Sequence, residues 1–149
     1  MYLIIVGTAF VLHELSHKLV ANALGYPAEY RMWTSGLLFA LFLAIVTNGR
    51  FIFAAPGAVY IFGRPNRRDD GIIAAAGPLT NLIIAYIFLY LALTYQSEVF
   101  LAISTVNAFI GFFNLMPFFP LDGSKVLPWN PLVYFTLIAF YIPVLGLVF

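Results

Sequence analysis

The residues best suited to chemistry in this sequence form one short motif, H-E-L-S-H, at residues 13–17. On a helix, His13 and His17 project from the same face, so their ring nitrogens can converge on one metal ion. Glu14 is offset along the helix, where its carboxylate can reach a metal-activated water without itself binding the metal. The chain has two histidines in all, and both lie in this motif. The pattern therefore predicts a hydrolytic metal site with Glu14 as the general base.

The surroundings of the motif favour this role over a chance match. A short H-E-x-x-H sequence in a soluble protein can be two solvated histidines and a surface glutamate. Here, however, residues 1–12 carry no charged side chain. Placing His13, Glu14 and His17 in such an apolar helix costs several kcal/mol unless they are paired, hydrated or bound to metal. We therefore expect a metal site.

The composition indicates an integral membrane protein. Of the 149 residues, 63% are hydrophobic and 9% are charged, far from the values of soluble globular proteins. The length predicts a single domain over residues 1–149, and a net charge of +1 without a basic run gives no indication of nucleic-acid binding. With no cysteine in the chain, any metal site must use His, Asp or Glu.

The apolar segments predict an all-α membrane protein with about four transmembrane helices. The predicted spans cover residues 2–24, 72–94, 99–115 and 132–149. The first should end at the Gly-Tyr-Pro sequence of residues 25–27.

The connection between the first two spans is less regular. Residues 37–47 are apolar but too few to span a membrane, which favours a re-entrant or interfacial segment. Residues 51–62 contain a Pro-Gly break between β-branched and aromatic residues, so they form either a β-hairpin-like pair of strands or an interfacial loop. An exposed strand edge here could bind an extended substrate backbone by adding a strand.

The positive charges predict the orientation. Arginines concentrate in the connection over residues 28–70, and short loops rich in Lys and Arg stay on the cytoplasmic side. The first span then runs from outside to inside, and both termini lie outside. Because the motif lies in the inner half of this helix, we expect a multi-pass protein of the cell membrane whose active site opens to the cytoplasm.

A catalytic zinc needs three protein ligands and one open position, and the histidines supply two. Glu98 falls on the outer side in this topology. Three further acidic residues lie among arginines, where surface pairing explains them: Glu29, Asp69 and Asp70. Asp122 follows a proline-interrupted helix end and enters from the same side as His17. Spacing alone explains Asp122 equally well as a turn former before Gly123.

Three blocks of the sequence together resemble the signature motifs of the site-2 protease family, which are intramembrane zinc metalloproteases. They are H-E-L-S-H at residues 13–17, A-G-P-L-T-N at 76–81 and N-L-M-P-F-F-P-L-D-G at 114–123, in the family's order. The chain is most similar to the small archaeal and bacterial members without a PDZ domain. The resemblance implies one zinc ion held by His13, His17 and Asp122, with Glu14 as the catalytic base.

The resemblance also assigns roles to two amides. It implies that Asn114 faces the substrate or the oxyanion, and that Asn81 supports packing around the site. From the residues alone, Asn81 is better explained as a contact between helices than as a chemical group. The implied reaction is hydrolysis of peptide bonds in transmembrane proteins or peptides, which must first unwind locally inside the lipid bilayer.

Two alternatives remain open at this point. In the first, the chain is a membrane metalloprotease with a different arrangement of zinc ligands, in which Glu98 on a later helix is the third ligand. In the second, the chain is a non-catalytic metal-binding or ion-translocating membrane protein that uses the same buried groups as a pathway. Substitution of Glu14 separates the second alternative from a protease, because only a protease needs a base.

Overall fold

The computed structural model describes residues 2–32, 34, 46 and 57–148, which form five helices and two strands. The helices are α1 (Tyr2–Ala23), α2 (Arg67–Tyr95), α3 (Glu98–Asn114), α4 (Gly123–Trp129) and α5 (Pro131–Val148). The strands are β1 (Ala28–Met32) and β2 (Gly57–Ile61). The prediction of a mainly helical protein is confirmed, with the addition of a small sheet.

Helix α1 ends where the sequence predicts. Gly25 has a positive φ of 87°, a left-handed conformation that glycine adopts without steric cost. The side chain of Asn22 accepts a hydrogen bond from the backbone of Ala28, at 3.0 Å. The chain therefore reverses directly after the helix that carries the motif, and β1 begins beside the end of α1.

Helix α2 begins at Arg67, earlier than the predicted residue 72, because a polar capping sequence precedes the apolar span. The side chain of Asn66 accepts a hydrogen bond from the backbone of Asp69, which satisfies one free N–H of the first turn. Asp69 and Asp70 also place negative charge at the positive end of the helix dipole. The polar start is thus part of the helix rather than a loop.

Two of the described helices, α2 and α5, are long and apolar enough to cross a membrane, and α3 is a shorter apolar helix. The spans predicted over residues 72–94 and 132–149 correspond to these two helices. Crossings by α1 and α3 are not confirmed, so the count of four transmembrane helices stays a prediction.

The strands β1 and β2 pair in antiparallel orientation, with Tyr30 opposite Val59. The extended conformation predicted for the second half of residues 51–62 is confirmed as β2. The strand that pairs with β2 differs from the prediction, since it is β1 and not a segment within residues 51–62. The sequence of β1 alternates charged residues with others, which is too weak a signal to predict a strand. Residues 51–56, and nearly all of the predicted re-entrant segment 37–47, lie outside the described residues.

Helix α2 lies at the centre and contacts the other four described helices. Small residues permit these close approaches. A Cβ at Gly111 of α3 would overlap the hydroxyl of Tyr141 on α5, and a Cβ at Gly71 of α2 would overlap the ring of Trp129 on α4. Because α1, α3 and α4 all pack on α2, the three sequence blocks meet along one helix.

Candidate metal centre

Three side chains from two distant parts of the chain converge beside α2. Oδ2 of Asp122 lies 3.0 Å from Nε2 of His13 and 3.3 Å from Nε2 of His17. The two imidazole rings have centroids 4.7 Å apart and stand nearly perpendicular. The structure therefore brings together the three residues that the resemblance names as ligands, although Asp122 lies more than one hundred positions after the two histidines.

The donor set fits zinc. A tetrahedral ion with metal–ligand bonds of about 2.0–2.1 Å needs ligand atoms roughly 3.3 Å apart, close to the two distances measured here. Two imidazoles and one carboxylate also match the ligand types of catalytic zinc sites, which keep a fourth position open for water.

The second nitrogen of each imidazole is held by an oxygen. Nδ1 of His13 lies 2.5 Å from Oδ1 of Asn81, and Nδ1 of His17 lies 2.7 Å from the backbone oxygen of Ile73. Because both oxygens can only accept, both Nδ1 atoms donate, and the lone pair of each ring is at Nε2. The rings thus present their metal-binding nitrogens to Asp122, as metal-ligating histidines usually do.

Glu14 stands beside this cluster. Potential ligand atoms of His13, Glu14 and His17 lie within 4.8 Å of one another, so Glu14 could also be counted as a third ligand. Its Oε2, however, accepts a hydrogen bond of 2.9 Å from the backbone N–H of Val59 in β2. Asp122 lies nearer to both ring nitrogens, at 3.0 and 3.3 Å, and Glu14 lies beside them in the wall of the same cavity.

Gly77 lets α2 approach the cluster. A Cβ built at this position would overlap Nε2 of both His13 and His17. The groups that come closest to α2 at this glycine are the two imidazole rings. Any larger residue at position 77 would displace the two proposed ligands.

A cavity of ≈ 180 Å³ adjoins the cluster. This is room for several water molecules. Its walls include Val59 of β2, Asn114 of α3 and Lys125 of α4. Nδ2 of Asn114 donates to the backbone oxygen of Ile110 at 2.9 Å, and the second N–H of an amide remains for a further acceptor. Asn114 therefore lies in the cavity wall, and its catalytic role stays a prediction.

The other acidic residues have different surroundings. Glu98 lies in the first turn of α3 and lines a separate shallow groove. Glu29 pairs with Arg31 at 3.4 Å, and Asp70 pairs with Lys125 at 3.0 Å. The alternative that takes Glu98 as a zinc ligand therefore has no geometric support in the part of the chain that the structure describes.

Sequence reasoning missed three groups that shape the site. Oδ1 of Asn107 accepts a hydrogen bond from Nδ2 of Asn81 at 2.8 Å. The fully buried Tyr141 donates to the backbone oxygen of Pro78 at 2.5 Å. The backbone N–H of Val59 reaches Glu14. Only Asn107 left a signal in the sequence, as a second lone amide in an apolar helix.

Comparison with known proteins gives a consistent result. A family model described as Peptidase family M50 matches residues 1–104. A protein of Methanocaldococcus jannaschii, provisionally named zinc metalloprotease MJ0611, is 41% identical over 138 residues, which are 89% of this chain and 71% of the relative.

Two further relatives are more distant. Zinc metalloprotease MJ0392 of the same organism is 26% identical over 129 residues, covering 83% of this chain and 32% of the relative. A provisionally named zinc metalloprotease of Bacillus subtilis, YwhC, is 28% identical over 140 residues, covering 80% of this chain and 64% of the relative. No solved structure matches the chain.

Proposed function

The chain belongs to peptidase family M50, the site-2 protease family, and on this premise we propose that it is an intramembrane zinc metalloprotease. Its substrates are transmembrane proteins or peptides, and Glu14 is its general base. The observation that carries the proposal is the convergence of His13, His17 and Asp122 within 3.3 Å, with Glu14 alongside.

In this mechanism the protein groups have separate tasks. His13, His17 and Asp122 would hold a zinc ion, which when bound would supply the Lewis acidity that activates water and polarises a carbonyl. The Glu14 carboxylate takes a proton from the water and passes it to the nitrogen of the leaving amine. The remaining N–H of Asn114 donates to the carbonyl oxygen as negative charge develops on it.

The substrate lies in the cavity in an extended conformation. Because the N–H of Val59 donates to Glu14, it points away from β1 and toward the cavity. The same edge of β2 can therefore bind the backbone of a substrate by strand addition. A helical substrate must unwind before it can do so, since its own helix occupies its backbone groups. Substrates with helix-destabilising residues near the scissile bond are therefore cleaved best.

The site opens to the cytoplasm of a multi-pass protein. The motif is in the C-terminal half of α1, and Asp122 follows the end of α3, so the site lies toward the end of the bundle where α2 begins. Arg64, Arg67 and Arg68 lie at that same end, whereas the connection between α2 and α3 contains no Lys or Arg. The positive-inside rule places the basic end in the cytoplasm.

Glu14→Gln tests the proposal. Gln keeps the size of the side chain but cannot act as a base, so the variant should retain zinc and lose cleavage by at least about 100-fold. The assay uses purified protein in phospholipid vesicles with a set of synthetic single-span peptides that carry Gly or Asn at the centre of the span. Products are identified by mass spectrometry, and zinc content is measured by elemental analysis.

Glu29→Gln is the matched control, since Glu29 is a surface carboxylate on β1 paired with Arg31. It should leave both zinc content and cleavage unchanged. A Glu14→Gln variant that cleaves as fast as the parent would overturn the assignment of the base. A parent protein that cuts none of the peptides but conducts divalent cations across the vesicle membrane would replace the protease proposal with the ion-translocating alternative.

A further inference from the structure

A chain of buried hydrogen bonds begins at His13 and crosses three helices. Nδ1 of His13 on α1 contacts Oδ1 of Asn81 on α2, and Nδ2 of Asn81 contacts Oδ1 of Asn107 on α3. Nδ2 of Asn107 then donates to the backbone oxygen of Ile103 at 2.9 Å. His13, Asn81 and Asn107 are each at most 2% exposed, so no solvent can substitute for a missing partner. We call these three residues the amide relay.

The contact between Asn107 and Ile103 fixes which way both side-chain amides of the relay face. The oxygen of Ile103 can only accept, so Asn107 must turn its NH₂ group toward it and its Oδ1 toward Asn81. Asn81 must then turn its NH₂ group toward Asn107 and its Oδ1 toward His13. If the Asn107 amide rotated by 180°, its NH₂ group would face the NH₂ group of Asn81. If the Asn81 amide rotated instead, its oxygen would face the oxygen of Asn107.

The remaining contact of Asn81 is weaker. Its Nδ2 lies 3.4 Å from the backbone oxygen of Ala9, against 2.8 Å for Asn107. Asn107 is therefore the main group that determines which way the Asn81 amide faces.

We propose that Asn107 is a positioning residue, which acts through Asn81 to keep Nδ1 of His13 as the hydrogen-bond donor and Nε2 as the metal-binding nitrogen. Asn107 touches neither the ligands nor the cavity. Without it, Asn81 can rotate and present NH₂ to Nδ1 of His13, which then becomes an acceptor. The ring proton moves to Nε2, where it blocks metal binding. The inference rests on the proposed metal site but not on proteolysis.

Asn107→Leu tests the relay, because Leu fills the space of Asn but removes the acceptor. The chain has two histidines, so a ¹⁵N-histidine spectrum of zinc-loaded protein in detergent micelles contains two rings. In the parent, both rings should carry their proton at Nδ1, because Nε2 binds the metal. In Asn107→Leu, the Nδ1–H signal of His13 should shift or lose intensity as its acceptor rotates away, whereas that of His17, which donates to the oxygen of Ile73, should stay unchanged. Zinc affinity, measured by competition with a chelator, should fall about tenfold.

Two further variants serve as controls. Ser104→Ala removes another buried hydrogen bond of α3, from Ser104 to the oxygen of Ala85, without touching the relay. It should leave the His13 ring and zinc affinity unchanged. Asn107→Asp, as a neutral carboxylic acid in this buried position, keeps an acceptor for Asn81 and a donor for Ile103, and should give the spectrum of the parent. If Asn107→Leu does not yield folded protein, Asn107→Ala is measured in the same way.

The proposal is overturned if Asn107→Leu keeps the Nδ1–H signal of His13 as in the parent, or if Ser104→Ala lowers zinc affinity as much as Asn107→Leu does. Both readouts follow zinc binding and need no substrate. Failure of the relay would therefore leave the protease proposal standing, and failure of peptide cleavage would leave the relay standing.

Discussion

The cavity has a helical wall, to which α1, α2, α3 and α4 contribute, and a strand wall, formed by β2. On the helical wall, His13 is 1% exposed, and its Nδ1 meets Asn81, which is fully buried behind it. On the strand wall, Ala58 is exposed and Val59 is half-buried, and the backbone N–H of Val59 donates to Glu14. The helical wall suits a metal ion that is held in one geometry. The strand wall suits a substrate that binds and is then released.

Because the two walls differ in this way, we expect that metal binding and substrate binding can be altered separately. Substitutions on the helical wall should change zinc affinity, because they move atoms that have no freedom to adjust. Substitutions on the strand wall should change cleavage of peptides at constant zinc content. The following variants test this division.

Asp122→Asn should have the largest effect. The amide keeps the shape of the side chain but removes the negative charge that the two imidazoles face at 3.0 and 3.3 Å. Zinc affinity, measured by chelator competition, should fall by more than about 100-fold. Glu98→Gln is the control and should have no effect. A loss of zinc in Glu98→Gln with retention in Asp122→Asn would reverse the assignment of the third ligand.

Gly77→Ala should have the next largest effect. The added methyl group overlaps the metal-facing nitrogens of His13 and His17, so the rings must move apart or α2 must shift. We expect zinc affinity to fall by about 10- to 100-fold, since supporting groups of a metal site usually have effects of that size.

Gly7→Ala provides the comparison for that variant. Gly7 also lies in a helix, and a Cβ there would meet no other atom within 4 Å. The substitution should therefore leave zinc affinity unchanged. Equal affinities in the two alanine variants would mean that α2 does not confine the imidazoles.

Val59→Pro should have the smallest effect of these variants, and it should alter peptide cleavage rather than zinc affinity. Proline removes the N–H that faces Glu14 but keeps the pairing with β1, because that N–H points away from β1. The loss of one backbone hydrogen bond should lower kcat/KM for the synthetic single-span peptides by about tenfold while zinc affinity stays constant.

Val59→Ala, which keeps the N–H and shortens only the side chain, should behave as the parent. If both variants at position 59 cleave peptides equally well, the edge of β2 takes no part in binding the substrate.

The helical part of the fold follows from local sequence signals. The end of α1 at Gly25 and the positions of α2, α3 and α5 could be predicted from apolar length and from turn residues. The H-E-L-S-H motif identified His13, Glu14 and His17 because helical spacing fixes their relative positions. Asp122 required the resemblance, since spacing alone explained it equally well as a turn former.

The contacts between distant elements could not be predicted in the same way. Strand β1 is five residues long, and its partner begins at Gly57, so neither strand carries a strong pattern by itself. The hydrogen bond from Tyr141 to Pro78 depends on how α5 rotates against α2. Asn81 and Asn107 were both visible as amides in apolar helices, and pairing them would have required the relative register of α2 and α3.

The ligand positions also have a consequence for the durability of the fold. His13 and Asp122 are separated by 109 positions in the sequence, and they come from the first helix and from the turn before α4. An ion bound to both closes a very long loop in the same manner as a cross-link, which disfavours the unfolded ensemble through lost chain entropy. A cell short of zinc would then hold molecules that are both inactive and easier to unfold and degrade.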